Sequence, residues 1–451
     1  MFSQRKWFNI KLTSVQMIVL FYLVAVITAT ILFSLPISHK PGVELSFLDA
    51  IFTAVSAVSV TGLTVVSTAD TFSVTGIFML AFVLQFGGIG IMTLGTFIWL
   101  ILGKKIGLRE RQLIMTDQNR GTFSGLVQLT REIFKLIVII EAIGAVILGL
   151  YFLKYFPTWQ EAFLQGFFAS VSATTNAGFD ITGTSLMPFA DDYFVQSINM
   201  ILLILGAIGF PVLMEVKEFV RNRKHKKKFN FSLFTKLTTI TFFGLTILGT
   251  IFILIFDWSN FLLDKSWHEK FFYALFQSVT TRNGGLATME VSEFSTPTLL
   301  IISVLMFIGA SPSSVGGGIR TTTFAIVLLA IFSFSRGKKS VKIFRRELDP
   351  DDVIKSFVVI SVAIFICGSA VIFLSAYEPF PLLHIIFEVA SAFGTTGLSM
   401  GITPDLSPLG KQIIIVLMFI GRIGIFSFLF IVRGKETHEH YHFPKEKVII
   451  G

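Results

Sequence analysis

Long and short apolar runs alternate along the chain in an order that occurs four times. A helix needs about 20 apolar residues to cross a bilayer, and a run of about 12 is too short. Each repeat therefore predicts an outer spanning helix, a half-length helix, a loop and an inner spanning helix. The outer spans are Val15–Leu35, Ile133–Leu153, Leu237–Asp257 and Ile354–Ala376; the half-length runs are Phe47–Val58, Glu161–Ala173, Glu269–Val279 and Leu382–Phe393; the inner spans are Gly76–Leu102, Phe194–Phe219, Pro297–Phe334 and Gln412–Val432.

The half-length runs begin with residues that start helices. Three carry a hydroxyl residue followed three positions later by an acidic one, the spacing of a capping box, and the fourth follows two prolines. These residues are Ser46 and Asp49, Thr158 and Glu161, Ser266 and Glu269, and Pro379 and Pro381. We therefore expect four re-entrant helices that enter the membrane, stop, and return as extended chain. Such backbone is tolerated at that depth only where protein buries it or where it lines a watery cavity.

Each half-length run leads into a loop of small and hydroxyl residues that ends in Gly followed by Leu or Phe. The four glycines, Gly62, Gly178, Gly285 and Gly397, follow one another at similar separations along the chain. Regular internal repetition of this kind determines the architecture of a whole fold.

Composition places the chain in a membrane. Its 451 residues are 53% hydrophobic and 14% charged, which excludes a soluble globular domain. The first apolar run lacks a small-residue cleavage site, so we expect a retained helix and not a signal peptide. Cys367 is the single cysteine, so no disulfide can form within the chain, and we expect it to be a small buried hydrophobe.

Positive charge is concentrated on one side of the predicted topology. Of the 37 Lys and Arg residues, 28 lie at the two termini and in the three linkers between repeats. These segments are 1–11, 103–131, 217–236, 336–355 and 433–447. By the positive-inside rule they are cytoplasmic, and the four loops open outward. The expected location is the cell membrane, crossed several times, with both termini cytoplasmic.

Two polar segments have more than one interpretation. The run Arg223–Lys228 is interpreted as a determinant of topology that binds anionic lipid, and docking of a cytosolic partner is the alternative. The tail residues His438, His440 and His442 are interpreted as solvated, and metal binding is the alternative. The segment Gly316–Thr323 lacks the Gly-Lys-Ser/Thr of a phosphate-binding loop. No pattern indicates an enzyme or a nucleic-acid partner.

Four glycine loops at the membrane centre predict a cation path. Re-entrant helices would point their partly negative C-terminal ends at one axis, where carbonyl oxygens can replace the water around a cation. Glycine suits such loops because the required φ and ψ are costly for a residue with a Cβ. The Thr and Asn side chains add uncharged oxygens, and the absence of carboxylates disfavours a divalent-cation filter. The predicted filter comprises Val60, Thr61, Gly62, Asn176, Ala177, Gly178, Asn283, Gly284, Gly285, Thr395, Thr396 and Gly397.

The chain resembles the Trk/Ktr/HKT superfamily of potassium transporters, and most of all the membrane subunit of bacterial Ktr systems. The resemblance covers residues 14–435 and is carried by the four loops. Their motifs are Val60-Thr-Gly-Leu63, Asn176-Ala-Gly-Phe179, Arg282-Asn-Gly-Gly-Leu286 and Thr395-Thr-Gly-Leu398. The resemblance implies K+ bound at Gly62, Gly178, Gly285 and Gly397, and a homodimer in membrane lipid on a cytosolic nucleotide-binding regulatory ring.

Two details of the loops bear on this resemblance. Family members with Ser at the first filter position favour sodium, whereas this chain has Gly62. The third loop departs from the commoner Thr-Ala-Gly-Phe form because it contains two adjacent glycines. We assign Gly285 rather than Gly284 to the filter because an apolar residue, Leu286, follows it.

A gate is predicted in the inner span of repeat three. The other inner spans contain Gly87–Gly90, Gly206–Gly209 and Gly421–Gly424, but in repeat three Pro312 replaces the last glycine. Pro with several Gly and Ser cannot continue a helix, so only this span is expected to be clearly broken. In the resembling subunits this intramembrane loop is the gate. The predicted gate is Gly309, Ala310, Ser311, Pro312, Ser313, Ser314, Gly316, Gly317, Gly318 and Arg422.

Arg422 is included because an ionised side chain at that depth is costly and by default functional. We expect it to bond with residues 309–318 as one barrier, and bracing of a structural kink is the alternative. The role of Arg320 stays open. Glu141 and Glu388 also lie in apolar runs, where buried, hydrogen-bonded roles are favoured over ion coordination.

The predicted fold class is an all-α membrane protein with four pseudo-symmetric helix–pore loop–helix repeats around one ion pore. It has eight transmembrane helices plus four re-entrant half helices. The predicted segments are the cytoplasmic N-terminus 1–13, repeat 1 in 14–102, a basic linker and repeat 2 in 103–220, a linker and repeat 3 in 221–335, a linker and repeat 4 in 336–433, and the cytoplasmic tail 434–451.

The expected activity is passage of K+, with Na+ as a second candidate ion, down its electrochemical gradient, without a covalent cofactor. The membrane potential supplies about 2.3 kcal/mol per charge per 100 mV. A sodium-selective or sodium-coupled carrier of the same architecture is one alternative. An alternating-access transporter is another alternative. It is disfavoured because such transporters have inverted repeats, whereas all four repeats of this chain run in the same orientation.

Overall fold

The computed structural model describes residues 14–90, 126–224 and 229–433, together with Pro444 and Glu446. This part of the chain is mostly α-helical, with one short antiparallel hairpin between α12 and α13. The elements are α1 (Ser14–Ser34), α2 (Phe47–Ser59), α3 (Thr68–Thr71), α4 (Val74–Ile89), α5 (Leu126–Phe152), α6 (Trp159–Thr174), α7 (Tyr193–Ala207), α8 (Phe210–Lys224), α9 (Leu233–Asp257), α10 (Trp267–Thr280), α11 (Thr296–Phe307), α12 (Thr321–Ser335), β1 (Lys342–Ile343), β2 (Arg346–Glu347), α13 (Pro350–Tyr377), α14 (Leu382–Gly394), α15 (Pro408–Ile423) and α16 (Ile425–Arg433).

Several predicted segments lie outside the described residues. They are the N-terminus 1–13, positions 91–102 of the first inner span, the linker up to residue 125, and residues 225–228 of the basic run. The tail histidines His438, His440 and His442 also lie outside them.

Four helices in the described ranges are long and apolar enough to cross a membrane. They are Val15–Ser34, Thr130–Phe152, Leu233–Asp257 and Pro350–Tyr377, which coincide with the predicted outer spans. The pair Tyr193–Ala207 and Phe210–Asn222 also passes this test but is bent by 104° at its break.

The long helices expose their apolar side chains. On α9, Ile240, Ile247 and Ile255 are 58–61% exposed and lie along one helix face. Soluble proteins rarely expose contiguous apolar surface of this kind, whereas a lipid environment matches it. Polar side chains lie inside instead: Asn283 and Thr395 are fully buried. The distribution is that of a membrane protein with a polar interior.

The half-length helices α2, α6, α10 and α14 lie where the four short apolar runs predicted them. Ser46, Thr158 and Ser266 each accept the backbone N–H three residues on. Only α10, among these described helices, has both halves of the capping box, because the Ser266 N–H also donates to Glu269 Oε2 at 2.6 Å. In α2, Asp49 pairs instead with Lys411 Nζ at 2.8 Å, which ties repeat 1 to repeat 4.

The expectation that only the third inner span is broken is wrong. Helix α4 ends at Ile89, α7 at Ala207 and α15 at Ile423. In each case the last glycine of the Gly-x-x-Gly motif has a positive φ: 91° at Gly90, 100° at Gly209 and 82° at Gly424. A helix cannot continue through that conformation, which glycine adopts at little cost. The third span is broken as predicted, with residues 308–320 between α11 and α12.

The N-cap of each inner helix is tied to the end of the preceding outer helix or to the turn just beyond it. The Ser73 N–H donates to Ser38 O at 2.9 Å, the Ser295 N–H to Asp257 Oδ1 at 2.9 Å, and Ser407 to Glu378. In repeat 2 the N-cap is Asp192, which accepts hydrogen bonds from Tyr151, Lys154 and Tyr155. These ties fix where each inner helix starts, and therefore where it meets the loops.

Candidate ion pathway

The four predicted filter glycines lie together in a closed ring. A Cβ built on Gly62 would lie 2.9 Å from Gly178 Cα, and one on Gly178 would lie 2.9 Å from Gly285 Cα. A Cβ on Gly285 would meet Thr396 O at 2.6 Å, and one on Gly397 would lie 3.0 Å from Gly62 Cα. Every glycine therefore packs against the loop of the next repeat, in chain order, until the fourth meets the first.

The carbonyl oxygen just before each filter glycine contacts the neighbouring loop's glycine. A Cβ built on Gly62 would lie 2.5 Å from Ala177 O, one on Gly178 would lie 3.4 Å from Gly284 O, and one on Gly285 would lie 2.6 Å from Thr396 O. The Thr61 carbonyl makes the corresponding contact with Gly397. Uncharged carbonyl oxygens gathered in a ring can replace water around a monovalent cation.

The loop backbone is left-handed at two positions in every repeat. The filter glycines have φ between 68° and 92°, and the residues two positions earlier have φ between 51° and 69°. Those residues are Val60, Asn176, Asn283 and Thr395. For a β-branched residue this conformation costs about 1–3 kcal/mol, and such strain is concentrated at functional sites.

The hydrogen-bonded turn before the third filter glycine is one residue shorter than in the other loops. In loops one, two and four, the N–H before the filter glycine reaches the carbonyl five residues back, as in Thr61 to Ser56 O at 2.8 Å. In the third loop the Gly284 N–H reaches Thr280 O, four residues back, at 2.6 Å. This shorter turn places Gly285, and not Gly284, beside Gly178.

The amide groups of the two loop asparagines donate hydrogen bonds to other segments of the chain. Their role is therefore not limited to supplying side-chain oxygens to the predicted ion path. Asn283 Nδ2 donates to Gly394 O at 2.6 Å, to Thr395 O at 2.8 Å and to Thr395 Oγ1 at 2.7 Å. Asn176 Nδ2 donates to Leu203 O at 3.2 Å. The third and fourth loops are therefore hydrogen-bonded directly to each other.

Cavities lie next to the predicted filter and next to the predicted gate. The first, of about 440 Å³, is lined by all four filter glycines and by Asp180 and Glu290. The second, of about 240 Å³, is lined by gate residues including Pro312, Ser313 and Arg422. Carboxylates on a cavity wall favour the local accumulation of cations, here beside the predicted filter.

Residues 309–318 form a compact loop between the second and fourth inner helices. The hydroxyl of Ser314 donates to Ser311 O at 2.6 Å, and Thr321 Oγ1 donates to Ser311 Oγ at 3.2 Å. The loop's N–H groups donate to carbonyls at the breaks of the neighbouring inner helices: Ser311 to Ala207 O at 3.1 Å, Val315 to Gly206 O at 3.3 Å and Gly318 to Gly421 O at 3.2 Å. The breaks of three inner helices thus meet at one place.

The Arg422 guanidinium joins three repeats at this place. Its Nη1 donates to Val315 O in the loop, and its Nη2 donates to Gly87 O on α4. Arg422 lies in the last turn of α15, where a cation also complements the helix dipole. Arg320, whose role the sequence left open, donates to Gly316 O within the same loop.

Sequence reasoning missed the contribution of Arg282, which is 1% exposed. Its Nη1 donates to Ile308 O at 2.6 Å, and its Nη2 donates to Leu305 O. Because α11 ends at Phe307, these carbonyls have no intrahelical donor, and the guanidinium caps the broken helix. The signal was available, since an arginine at membrane depth is as costly here as at Arg422.

The two intramembrane glutamates are buried and hydrogen-bonded, as expected. Glu388 is 1% exposed and accepts from Ser399 Oγ at 2.9 Å and from Thr403 Oγ1. Both donors follow the fourth filter glycine, so Glu388 holds the returning chain. Glu141 accepts from Gln85 Nε2 at 2.7 Å.

Comparison with known proteins assigns the fold to a family. The family model described as "TrkH: Cation transport protein" matches residues 1–440. The chain belongs to the TrkH family. Ktr system potassium uptake protein D of Bacillus subtilis (strain 168) is 60% identical over 440 residues, and the match covers 98% of each chain. Ktr system potassium uptake protein B of the same organism is 37% identical, over 99% of this chain and 98% of that one.

A solved structure of the TrkH family shares the fold. The crystal structure of the potassium transporter TrkH from Vibrio parahaemolyticus matches with a TM-score of 0.72 over 94% of this chain and 86% of that chain. Its sequence is 21% identical, so this likeness concerns the fold. The relatives named here are described as potassium uptake proteins.

Proposed function

We propose that the protein is a channel-like potassium uptake transporter whose filter is the ring of Gly62, Gly178, Gly285 and Gly397. The observation that carries the proposal is that these glycines contact one another in a closed ring. Each glycine also contacts the carbonyl oxygen that precedes the filter glycine of the neighbouring loop. Carbonyl rings of this kind bind K+ by replacing its hydration shell. Two relatives named for potassium uptake support the same ion.

In this proposal the chain crosses the membrane eight times and four half helices enter it from outside. The four long helices and the broken inner helices support that arrangement. K+ then moves inward, driven by the membrane potential, with both termini cytoplasmic. A potential of 100 mV supplies about 2.3 kcal/mol for each charge moved.

The proposed gate is the loop 309–318 together with Arg422. Support comes from the position of the loop against the filter loops and from the guanidinium that bridges it to Gly87. Opening requires these hydrogen bonds to break together, and an arginine at membrane depth needs new partners when they do.

The proposed assembly is a homodimer in membrane lipid, controlled by a cytosolic nucleotide-binding ring. The relatives are named as proteins of a Ktr system, which supports a partner. The described basic residues near the hairpin, among them Lys338, Lys342 and Arg346, offer a cytoplasmic docking surface.

The test is cation flux into liposomes that contain the purified protein, with K+ and Na+ compared at matched gradients. The wild type is expected to prefer K+. Gly62→Ser is expected to weaken that preference, because a Cβ there would lie 2.5 Å from Ala177 O and φ is 90°. Gly42→Ser is the matched control, since Gly42 also has a positive φ, of 83°, but has open space around it.

Each flux result decides between the candidates. Equal K+ and Na+ flux in the wild type would reject the potassium proposal and favour the sodium-selective or sodium-coupled carrier. If neither ion passes, Arg422→Ala and a variant with the loop 309–318 shortened are measured next. Flux that appears only in these variants supports a closed gate, and its absence there rejects the gate.

A further inference from the structure

The hydroxyl of Thr395 is shared between the filter and the loop 309–318. Thr395 Oγ1 accepts the Gly317 N–H at 2.8 Å and Asn283 Nδ2 at 2.7 Å. Thr395 is fully buried, so water does not compete for these bonds. One oxygen atom therefore links the fourth filter loop, the third filter loop and the proposed gate.

The other end of the same loop is held by the third filter loop. Arg282 directly precedes Asn283 and donates to Ile308 O at 2.6 Å, at the point where the loop leaves α11. The filter thus holds the loop at residue 308 through Arg282 and at residue 317 through Thr395. A buried acceptor or donor left unpaired is costly, so neither end can move without a response in the filter loops.

The conformation of Thr395 supports a functional use of its hydroxyl. Its φ of 51° is unfavourable for a β-branched residue. Repeats two and three place asparagine at this position, which tolerates the conformation better. Repeat one has Val60, which lacks a hydroxyl. Of the four equivalent positions, only Thr395 has a hydroxyl group, and this hydroxyl accepts the Gly317 N–H. The residue keeps this hydroxyl despite an unfavourable backbone conformation.

We propose that Thr395, with Asn283 and Arg282, couples the gate to the filter, so that ion occupancy of the filter and opening of the loop 309–318 control each other. The proposal rests on the proposed potassium filter and adds a positioning residue to it. Coupling is reciprocal: if gate opening weakens K+ binding in the filter, then K+ bound in the filter must favour the closed gate by the same factor.

The test is hydrogen–deuterium exchange of peptides covering residues 308–320 in the full-length protein. Exchange is measured in K+, Na+ and N-methylglucamine salts of equal ionic strength. In the wild type we expect exchange to differ by about fivefold or more between K+ and N-methylglucamine. Thr395→Val is expected to remove this difference, whereas Thr395→Ser, which keeps the hydroxyl, is expected to retain it.

Thr321→Val is the matched control. It removes the bond from Thr321 Oγ1 to Ser311 Oγ, which holds the loop but does not touch the filter. We expect faster exchange of the loop in all three salts with the K+ dependence retained. Asn283→Ala is a second variant that breaks the coupling from the other side and is expected to lose the K+ dependence.

The outcomes separate this proposal from the proposed filter. A wild-type loop that exchanges equally in all salts, while K+ still raises the Tm, overturns the coupling and leaves the filter standing. If K+ changes neither exchange nor Tm, the proposed ion site itself fails. If Thr395→Val does not fold, the wild-type comparison and Asn283→Ala decide alone. K+ dependence that survives in a folded Thr395→Val or in Asn283→Ala also overturns the coupling.

Discussion

At the scale of single residues, two separate constraints require glycine at the four positions of the proposed filter. The conformation is left-handed, with φ of 90° at Gly62 and 92° at Gly397. The space beside each glycine is filled by the backbone of the next loop, which cannot withdraw as a flexible side chain can. Either constraint alone disfavours a side chain, and together they explain why the same residue type occurs in all four loops.

Glu388 gives a prediction at this scale. Glu388→Ala would remove the carboxylate that accepts from the hydroxyls of Ser399 and Thr403, leave these hydroxyls only their bond to each other, and free the chain that follows Gly397. We expect a loss of about 1–3 kcal/mol in the free energy of unfolding, the usual cost of leaving a buried hydrogen-bonding group unpaired, and a weaker preference for K+. Thermal unfolding and the liposome flux ratio measure the two effects.

Glu141→Ala is the control for that prediction. It also removes a buried carboxylate, but its partner is Gln85 and not the filter loop. It should lower stability and leave the K+ to Na+ flux ratio unchanged. An unchanged ratio in Glu388→Ala would contradict the positioning role of Glu388.

At the scale of elements, the two glycines of each Gly-x-x-Gly motif have different structural roles. The first allows a close approach: a Cβ on Gly206 would collide with Thr174 O, with Asn176 Oδ1 and, at 3.1 Å, with Val315. The second, Gly209, ends the helix through its φ of 100°. The half-length helix and the inner helix can therefore touch at the loop, and the inner helix can turn away beyond it.

Gly206→Ala is accordingly expected to destabilise the protein. Overpacking of a buried site costs about 1–3 kcal/mol. Gly244→Ala in α9 is the matched control, because a Cβ there meets nothing within 4 Å. Removing a flexible glycine from a helix interior should stabilise by about 0.5–1 kcal/mol. A lower Tm for the control than for Gly206→Ala would reject this account of the motif.

A pH dependence follows from the tie between α5 and α7. Partial burial opposes ionisation of Asp192, but hydrogen bonds from Lys154, Tyr155 and Tyr151 outweigh it and lower the pKa to about 2, below the ordinary 3.8. A lowered pKa in the folded state adds stability above the unfolded value, and this is lost as pH falls from about 4 to about 2. Asp192→Asn should therefore lower the Tm at pH 6 but much less at pH 2.5.

The exposed neighbour Asp191 supplies the comparison for that experiment. Asp191→Asn makes the same chemical change one position earlier, outside the cluster of Tyr151, Lys154 and Tyr155. It should change the Tm little at either pH. An equal effect of both variants would show that net charge, and not the tie between the helices, causes the change.

Element boundaries were predictable where composition changes sharply and unpredictable where a single φ decides. The half-length helices follow from apolar runs with capping residues, such as Ser266 and Glu269, and the structure places helices there. The break at Pro312 was predicted because proline cannot continue a helix. The breaks at Gly90 and Gly424 were missed because a helix tolerates glycine, so the residue type alone does not fix its conformation.

At the scale of the whole molecule, ion binding should be visible as stability. A ligand that binds the folded protein and not the unfolded chain raises the Tm with its concentration. We therefore expect a higher Tm in KCl than in choline chloride at equal ionic strength. Gly62→Ser should reduce this shift, and the control Gly42→Ser should retain it. A shift equally large in both variants would place the ion effect outside the filter ring.

The chain order of the loops around the ring could be expected from the repeats, but the contacts between loops could not. The apolar residue that follows Gly285 in the sequence predicts that it, and not Gly284, is the filter residue. It does not show that Asn283 donates to three acceptors in the fourth loop or that Arg282 caps α11. These contacts join residues that are far apart in sequence, and only the packed structure brings them together.

The four loops belong to one chain, and this has a genetic consequence. In a pore assembled from four identical subunits, one mutation alters every quadrant at once. Here the positions two residues before the filter glycines are Val60, Asn176, Asn283 and Thr395, so each quadrant is encoded separately. If the proposed filter is correct, evolution can adjust one quarter of the ring while the other three quarters still bind the ion. One quadrant of such a pore can therefore acquire a contact that the other three lack. The hydrogen bond between Gly317 and Thr395, which only the fourth loop makes through a hydroxyl at this position, is an example.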